Sequence, residues 1–203
     1  MSSHDINNGN PDSLRAVAVY CASSPKIASH YFDAAHDLGR ELARADLAVV
    51  CGGGRSGLMA AVIDGALDGG GRAIGVLPSF MIDRQWHHLR LSQTIVTESM
   101  HERKATMASL SRAAIALPGG IGTFEELMEI ITWRQLGLYA GNVVILNIDG
   151  YYDPLLEMLD RAIDQHFMNP DHRSLYSVTQ SVEEAVALAL RPVKAVEFTQ
   201  KIV

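Results

Sequence analysis

Along this chain, short runs of consecutive apolar residues alternate with longer stretches in which apolar positions recur every three to four residues. Arg15–Cys21, Leu47–Cys51, Arg72–Leu77, Ala113–Leu117 and Asn142–Ile148 are runs of the first kind. They read as strands buried on both faces of a parallel sheet. Thr94–Thr97 and Ser174–Val178 are weaker strand candidates. Helical periodicity covers Ser29–Ala45, where Phe32, Leu38 and Leu42 share a face, and Gly57–Leu67, which Gly69-Gly70-Gly71 stops. It continues through Ser99–Leu110, Phe124–Leu136, Pro154–His166 and Val182–Leu190. Ser79–Leu91 has no clear period and reads as an irregular loop.

Strand and helix alternating over nearly the whole length predict an α/β fold: a Rossmann-like three-layer sandwich with a mostly parallel sheet and helices on both faces. No repeat or linker divides the chain, so one domain is expected over 14–191, between a polar disordered tail at 1–13 and a C-terminal tail at 192–203. A length of 203 residues suffices to bury a core without disulfides or metals.

Composition narrows the function classes. The formal net charge of −6 argues against a nucleic-acid binder, and it means that any bound anion is held by local features. No apolar stretch is long enough to span a bilayer, and the N-terminus lacks the basic start and apolar core of a signal peptide, so a cytoplasmic location is expected. Cys21 and Cys51 each close an apolar run and read as reduced core thiols. Trp86-His87-His88 does not have ligand spacing for a metal.

Ligands of such sheets bind beyond the carboxyl ends of the strands. Three segments put glycine or small polar residues there: Ala22-Ser23-Ser24, Gly52–Gly57 and Pro118–Thr123. In Pro118-Gly119-Gly120-Ile121-Gly122-Thr123, the glycines let backbone N–H groups approach a ligand closely, and the helix start that follows favours an anion. No Gly-Lys-Ser/Thr follows, so this is not a Walker loop, and the Gly-Gly-x-Gly spacing is not a dinucleotide fingerprint. A phosphate site is one reading and a plain tight turn the other. Glu126 also has two readings. Thr123-x-x-Glu126 fits a capping box, yet a carboxylate one turn from a bound phosphate can also steady positive charge on ribose or activate water. Arg103 and Lys104 open the preceding helix and either neutralise an anion or form a solvated charged end. Gly52-Gly53-Gly54-Arg55-Ser56-Gly57-Leu58-Met59 is a second glycine turn, which either touches the ligand or allows two loops to pack.

These residues resemble a known family. Pro118–Thr123 with Glu126 matches a Pro-Gly-Gly-x-Gly-Thr-x-x-Glu signature, and Met100-His101-Glu102-Arg103-Lys104 matches a second motif of the Lonely Guy (LOG) family, cytokinin riboside 5′-monophosphate phosphoribohydrolases long labelled lysine decarboxylases. The likeness runs from about Val17 to Phe167 and takes in Gly52-Gly53-Gly54 with Gly57-Leu58-Met59, Thr132–Gly137 and Gly150-Tyr151-Tyr152-Asp153. It implies hydrolysis of the N-glycosidic bond of N6-modified adenosine 5′-monophosphates, and often AMP, to free base and ribose 5-phosphate. It implies Arg103 and Glu126 as the catalytic pair. Gly119, Gly120, Ile121, Gly122 and Thr123 would hold the phosphate, and Lys104, Glu125, Thr132, Ser23, Gly54 and Met59 would help to bind substrate. It further implies a homodimer with active sites near the interface, and no metal or other cofactor. Cys21-Ala22-Ser23-Ser24, Cys51, Leu91–Thr94, Gln85 and Trp86 depart from the family pattern, which bears on base preference more than on the phosphate and ribose chemistry.

Overall fold

The computed structural model describes residues 15–193. The tail expected at 1–13, and that at 192–203 from position 194 onward, lie outside the described residues. Seven strands form one all-parallel sheet: β1 (Ala16–Tyr20), β2 (Ala48–Cys51), β3 (Ala73–Pro78), β4 (Gln93–Thr97), β5 (Ala113–Ala116), β6 (Asn142–Leu146) and β7 (Ser177–Thr179). Their spatial order is β4-β3-β2-β1-β5-β6-β7. The helices are α1 (Ser29–Arg44), α2 (Gly57–Asp68), α3 (Ser79–Asp83), α4 (Met100–Ser109), α5 (Ile121–Gln135), α6 (Asp153–Asp164) and α7 (Val182–Leu190).

Alternation along the central strands explains the three layers. Val17, Val19 and Cys21 point to one face, where they pack with Leu38 and Leu42 of α1, Val62 and Ile63 of α2, and Ala185 of α7. Ala16, Ala18 and Tyr20 point to the other, against Met107 of α4, Leu127 and Ile130 of α5, and Tyr152. Both faces are covered, so these strands read as continuous apolar runs. Small residues also let α1 and α2 cross at backbone contact. A Cβ on Gly65 would overlap the His36 carbonyl oxygen, and one on Gly39 would overlap that of Val62.

Three sequence expectations are corrected. Ser79–Leu91 contains the short helix α3 and then a strap paired with the Gly52–Gly54 turn: His88 N–H donates to Gly53 O (2.8 Å), Arg55 N–H donates to Trp86 O (2.9 Å), and Gly54 and His87 form an antiparallel bridge. Such pairing is set by tertiary contact, so local periodicity does not reveal it. The last strand runs over Ser177–Thr179, because Pro170–Leu175 coils into a 3-10 turn that Asn169 caps. Helix α5 begins at Ile121, three residues before the apolar pattern suggests, because the glycine loop itself forms its first turn.

The chain passes from β1 outward to β4, then returns through α4 to β5 on the other side of β1. The strand order therefore reverses between β1 and β5. The loops leaving these two strands diverge and open a crevice, where such sheets bind ligands.

Candidate active site

The crevice holds a cavity of about 560 Å³. Cys21, Ala22 and Ser23 line it from the end of β1, and Gly52, Gly54, Arg55, Ser56 and Met59 from the turn between β2 and α2. Gly120, Ile121, Gly122, Thr123, Glu125 and Glu126 line it from the start of α5, with Arg103 from α4. Leu77, Met81, Trp86 and Met100 supply an apolar wall. Of the residues singled out in the sequence, Ser23, Gly54, Met59, Arg103, Gly120–Thr123, Glu125 and Glu126 thus meet in one space.

At the loop end of this space, amides without helical partners converge. Gly120 is the N-cap of α5, and Phe124 N–H is the first to close a helical bond, to Gly120 O (3.0 Å). The amides of Ile121, Gly122 and Thr123 precede that ladder and carry the positive end of the helix dipole. Gly119 must lack a side chain, because a Cβ there would stand 2.5 Å from Thr123 Cβ. The opposite wall is also fixed by close approach: Met59 N–H donates to Ala22 O (3.2 Å), and a Cβ on Gly57, whose φ is +67°, would meet the Ala22–Ser23 backbone.

The capping-box reading of Thr123 and Glu126 does not hold. Thr123 is the third helical residue and not the cap, so Glu126 has no cap amide to reach for. Its carboxylate instead accepts a hydrogen bond from Arg103 Nη1 at 2.9 Å. Both side chains are buried, with Glu126 9 % and Arg103 5 % exposed. Arg103 Nε donates to Val76 O at 3.0 Å, which ties the guanidinium to β3. A Cβ on Gly52 would overlap Arg103 Nη2, so the glycine leaves room for that group. Burial pushes the Glu126 carboxyl above the usual glutamate range, and the attraction of Arg103 offsets this only in part.

Lys104, Thr132 and Gly119 are placed differently from these. Lys104 Nζ turns away from the main cavity and donates to Glu129 Oε1 (3.0 Å) and to Glu125 Oε1, tying α4 to α5. Thr132 is exposed, with its hydroxyl on Met128 O (2.8 Å), on the same face of α5 as Ile121, Glu125 and Met128. Gly119 is buried behind the loop, where its carbonyl accepts a hydrogen bond from the Tyr151 hydroxyl (2.5 Å). Sequence reasoning missed Leu77, Met81 and Met100 of the apolar wall and marked only Trp86, as a departure bearing on base preference; this residue is 44 % exposed and carries the Arg84 guanidinium 5.1 Å from its ring centroid. Cys21 and Cys51 are free, buried thiols, and burial pushes Cys51 up to about 11.

A family model described as possible lysine decarboxylase matches residues 59–189. A probable cytokinin riboside 5′-monophosphate phosphoribohydrolase of Oryza sativa subsp. japonica is 44 % identical over 173 residues, covering 85 % of this chain and 76 % of the relative. Cytokinin riboside 5′-monophosphate phosphoribohydrolases of Arabidopsis thaliana (42 % identical, 85 % and 80 % covered) and Rhodococcoides fascians (41 %, 88 % and 90 %) are similarly related. Among solved structures, the molybdenum cofactor carrier protein of Chlamydomonas reinhardtii superimposes with a TM-score of 0.65 at 23 % identity, covering 86 % of this chain and 94 % of its own. The molybdenum cofactor binding protein of Rippkaea orientalis gives 0.65 at 21 %, with the same coverages. At such identity these two bear on the fold alone.

Proposed function

Because the chain belongs to the Lonely Guy family, to which these phosphoribohydrolases also belong, we propose that it hydrolyses the N-glycosidic bond of adenosine 5′-monophosphates, N6-modified or plain, with Arg103 and Glu126 as its catalytic pair. The products are the free base and ribose 5-phosphate. The observation that carries the reading is the buried Arg103–Glu126 pair facing the same cavity as the open amides of Ile121–Thr123.

The phosphate docks on those amides and on the Thr123 hydroxyl, a site that needs neither a lysine nor a metal. The ribose then lies over Glu126, one helical turn further on. As the bond between C1′ and the base nitrogen lengthens, its electron pair leaves with the base and positive charge grows on the sugar. The Glu126 carboxylate stabilises that charge and guides water to C1′, and the proton that water loses ends on the departing base. Arg103 favours the ionised form of the carboxylate and aims it, being itself held by Val76 O. The wall of Leu77, Met81 and Trp86 receives the base, with Trp86 as its stacking face.

A homodimer is part of the same proposal. The exposed apolar side chains of Met100, Ile121 and Leu136 lie beside the cavity mouth or along α5 and would be covered by a second copy, which would bring Thr132 to the interface. No helix among the described residues is long and apolar enough to cross a membrane. The free thiols support a reducing compartment, the cytoplasm.

The test is chromatographic analysis of products from AMP and N6-isopentenyl-AMP, with the matching nucleosides as phosphate-free controls. Free base should form from the monophosphates and far more slowly from the nucleosides. AMP bound tightly with no base released would reassign the chain as a nucleotide carrier of the same fold. Equal rates with nucleosides would remove the phosphate site.

A further inference from the structure

Three successive carbonyls at the exit of β5 are each taken by a donor from outside the loop. The Tyr152 hydroxyl donates to Leu117 O (2.7 Å), Ala22 N–H to Pro118 O (3.1 Å) and the Tyr151 hydroxyl to Gly119 O (2.5 Å). The two tyrosines come from one turn after β6. Asn147 builds that turn: its side chain accepts from Tyr152 N–H (2.7 Å) and donates to Asp153 Oδ1 (2.7 Å). Asp149 and Gly150, at φ +51° and +70°, reverse the chain so that both rings point back at the loop. The Tyr151 ring lies between Phe124 of α5, at 6.4 Å between centroids, and Tyr152, at 5.2 Å.

A trans peptide sets its C=O and the next N–H in one plane, pointing opposite ways. Drawing the Gly119 carbonyl out to Tyr151 therefore turns the Gly120 amide inward, and Gly120 lines the cavity. Gly119 and Gly120 have no side chains to hold that plane, and glycine backbone rotates more freely than any other. An external latch is what such a sequence needs.

We propose that Tyr151 is a positioning residue for phosphate binding: its hydroxyl fixes the Gly119–Gly120 peptide so that the Gly120 amide joins those of Ile121–Thr123 around the 5′-phosphate. This rests on the phosphate reading of the loop above. Tyr152, which anchors the carbonyl at the buried end of β5, serves the strand's exit and not the anion.

The experiment compares Tyr151→Phe and Tyr152→Phe with the native protein. Tyr151→Phe keeps the ring and its packing on Phe124, and the residue is partly exposed, so the fold is retained. The measurements are kcat and KM for AMP, and the inhibition constants of ribose 5-phosphate and of adenine. For Tyr151→Phe, the KM for AMP and the ribose 5-phosphate constant should rise about tenfold, the size of one hydrogen bond's effect on an oriented amide. The adenine constant and kcat should stay within about twofold, and Tyr152→Phe should lower the melting temperature with less effect on ribose 5-phosphate. A residue that merely braced the fold would weaken both inhibitors alike or lower kcat, and either result overturns the proposal. So does an unchanged ribose 5-phosphate constant in an active variant. A native protein that binds no ribose 5-phosphate would instead overturn the phosphate site itself.

Discussion

A carboxylate and a guanidinium as buried as those of Glu126 and Arg103 each lose several kcal/mol of hydration, roughly, and such a pair contributes little net stability. Its presence at a cavity wall fits the catalytic role proposed for it. Because burial holds the Glu126 carboxyl above the usual glutamate range, its proton is bound more tightly in the folded protein than in the unfolded chain. The sign follows: this group favours the fold most below its unfolded value, and that contribution is lost as pH rises through the raised, folded value. Activity runs the other way, since only the ionised carboxylate stabilises a cationic sugar. The acid limb of kcat/KM for AMP, which reports the free enzyme, should therefore fall off above the ordinary glutamate value of about 4.3. A kcat/KM–pH profile over roughly pH 4 to 8 checks this, and full activity retained down to about pH 4 would contradict it. Glu126→Gln should lower kcat by about 10²- to 10⁴-fold while AMP still binds. In the sequence this residue was ambiguous, since Thr-x-x-Glu is also a cap. Only non-local facts remove the capping reading and pair the residue with Arg103: the loop forms the first turn of α5, Val76 O anchors the arginine, and Gly52 vacates the space for it.

At the scale of elements, the strands were legible because a doubly covered parallel sheet writes itself as unbroken apolar runs. The start of α5 was not, since Gly120-Ile121-Gly122 reads as a turn by composition, and only the strand before it and the helix after it force those residues into helical geometry. The crossing of α1 and α2 is another feature that periodicity hides. Gly39 and Gly65 look like weak points in two helices, yet they are the contact that lets the helices meet at the backbone. Gly65→Ala should cost about 1–3 kcal/mol or more, despite alanine's better helix propensity, because the His36 carbonyl has no flexible side chain to move aside. Thermal denaturation checks the sign: a raised melting temperature would show that the helices separate freely. The strap carrying Trp86 has no local period because its order comes from pairing with the Gly52–Gly54 turn. That pairing sets Trp86 in the cavity wall proposed to receive the base. Trp86→Ala should raise the KM for AMP about tenfold, in line with roughly 1–3 kcal/mol for an aromatic–base stack, while ribose 5-phosphate inhibits as before. Equal weakening of both ligands would place Trp86 in the scaffold and not against the base.

For the whole molecule, the sequence indicated that anion chemistry lies at strand exits, but not which exits face one another. That depends on the strand order, which reverses between β1 and β5 and so joins the Ser23 and Gly120–Thr123 segments across one crevice. The same arrangement leaves Ile121 86 % exposed at the start of α5 and Leu136, its C-cap, 54 % exposed, with Met100 at the adjoining end of α4. Apolar side chains at a cavity rim and along an exposed helix face support the association surface proposed above. A two-fold interface would pair this face with its own copy, so one substitution there appears twice and acts strongly. The protein should sediment as a dimer of its 22.1 kDa chain at micromolar concentration. Leu136→Asp, distant from the Arg103–Glu126 pair, should shift it toward monomer, because each copy would set a carboxylate against the apolar face of the other. If the cavity is completed at that interface, AMP hydrolysis should fall in step with the dimer fraction as the protein is diluted. A native protein that is monomeric at those concentrations and fully active would remove the second copy from the site.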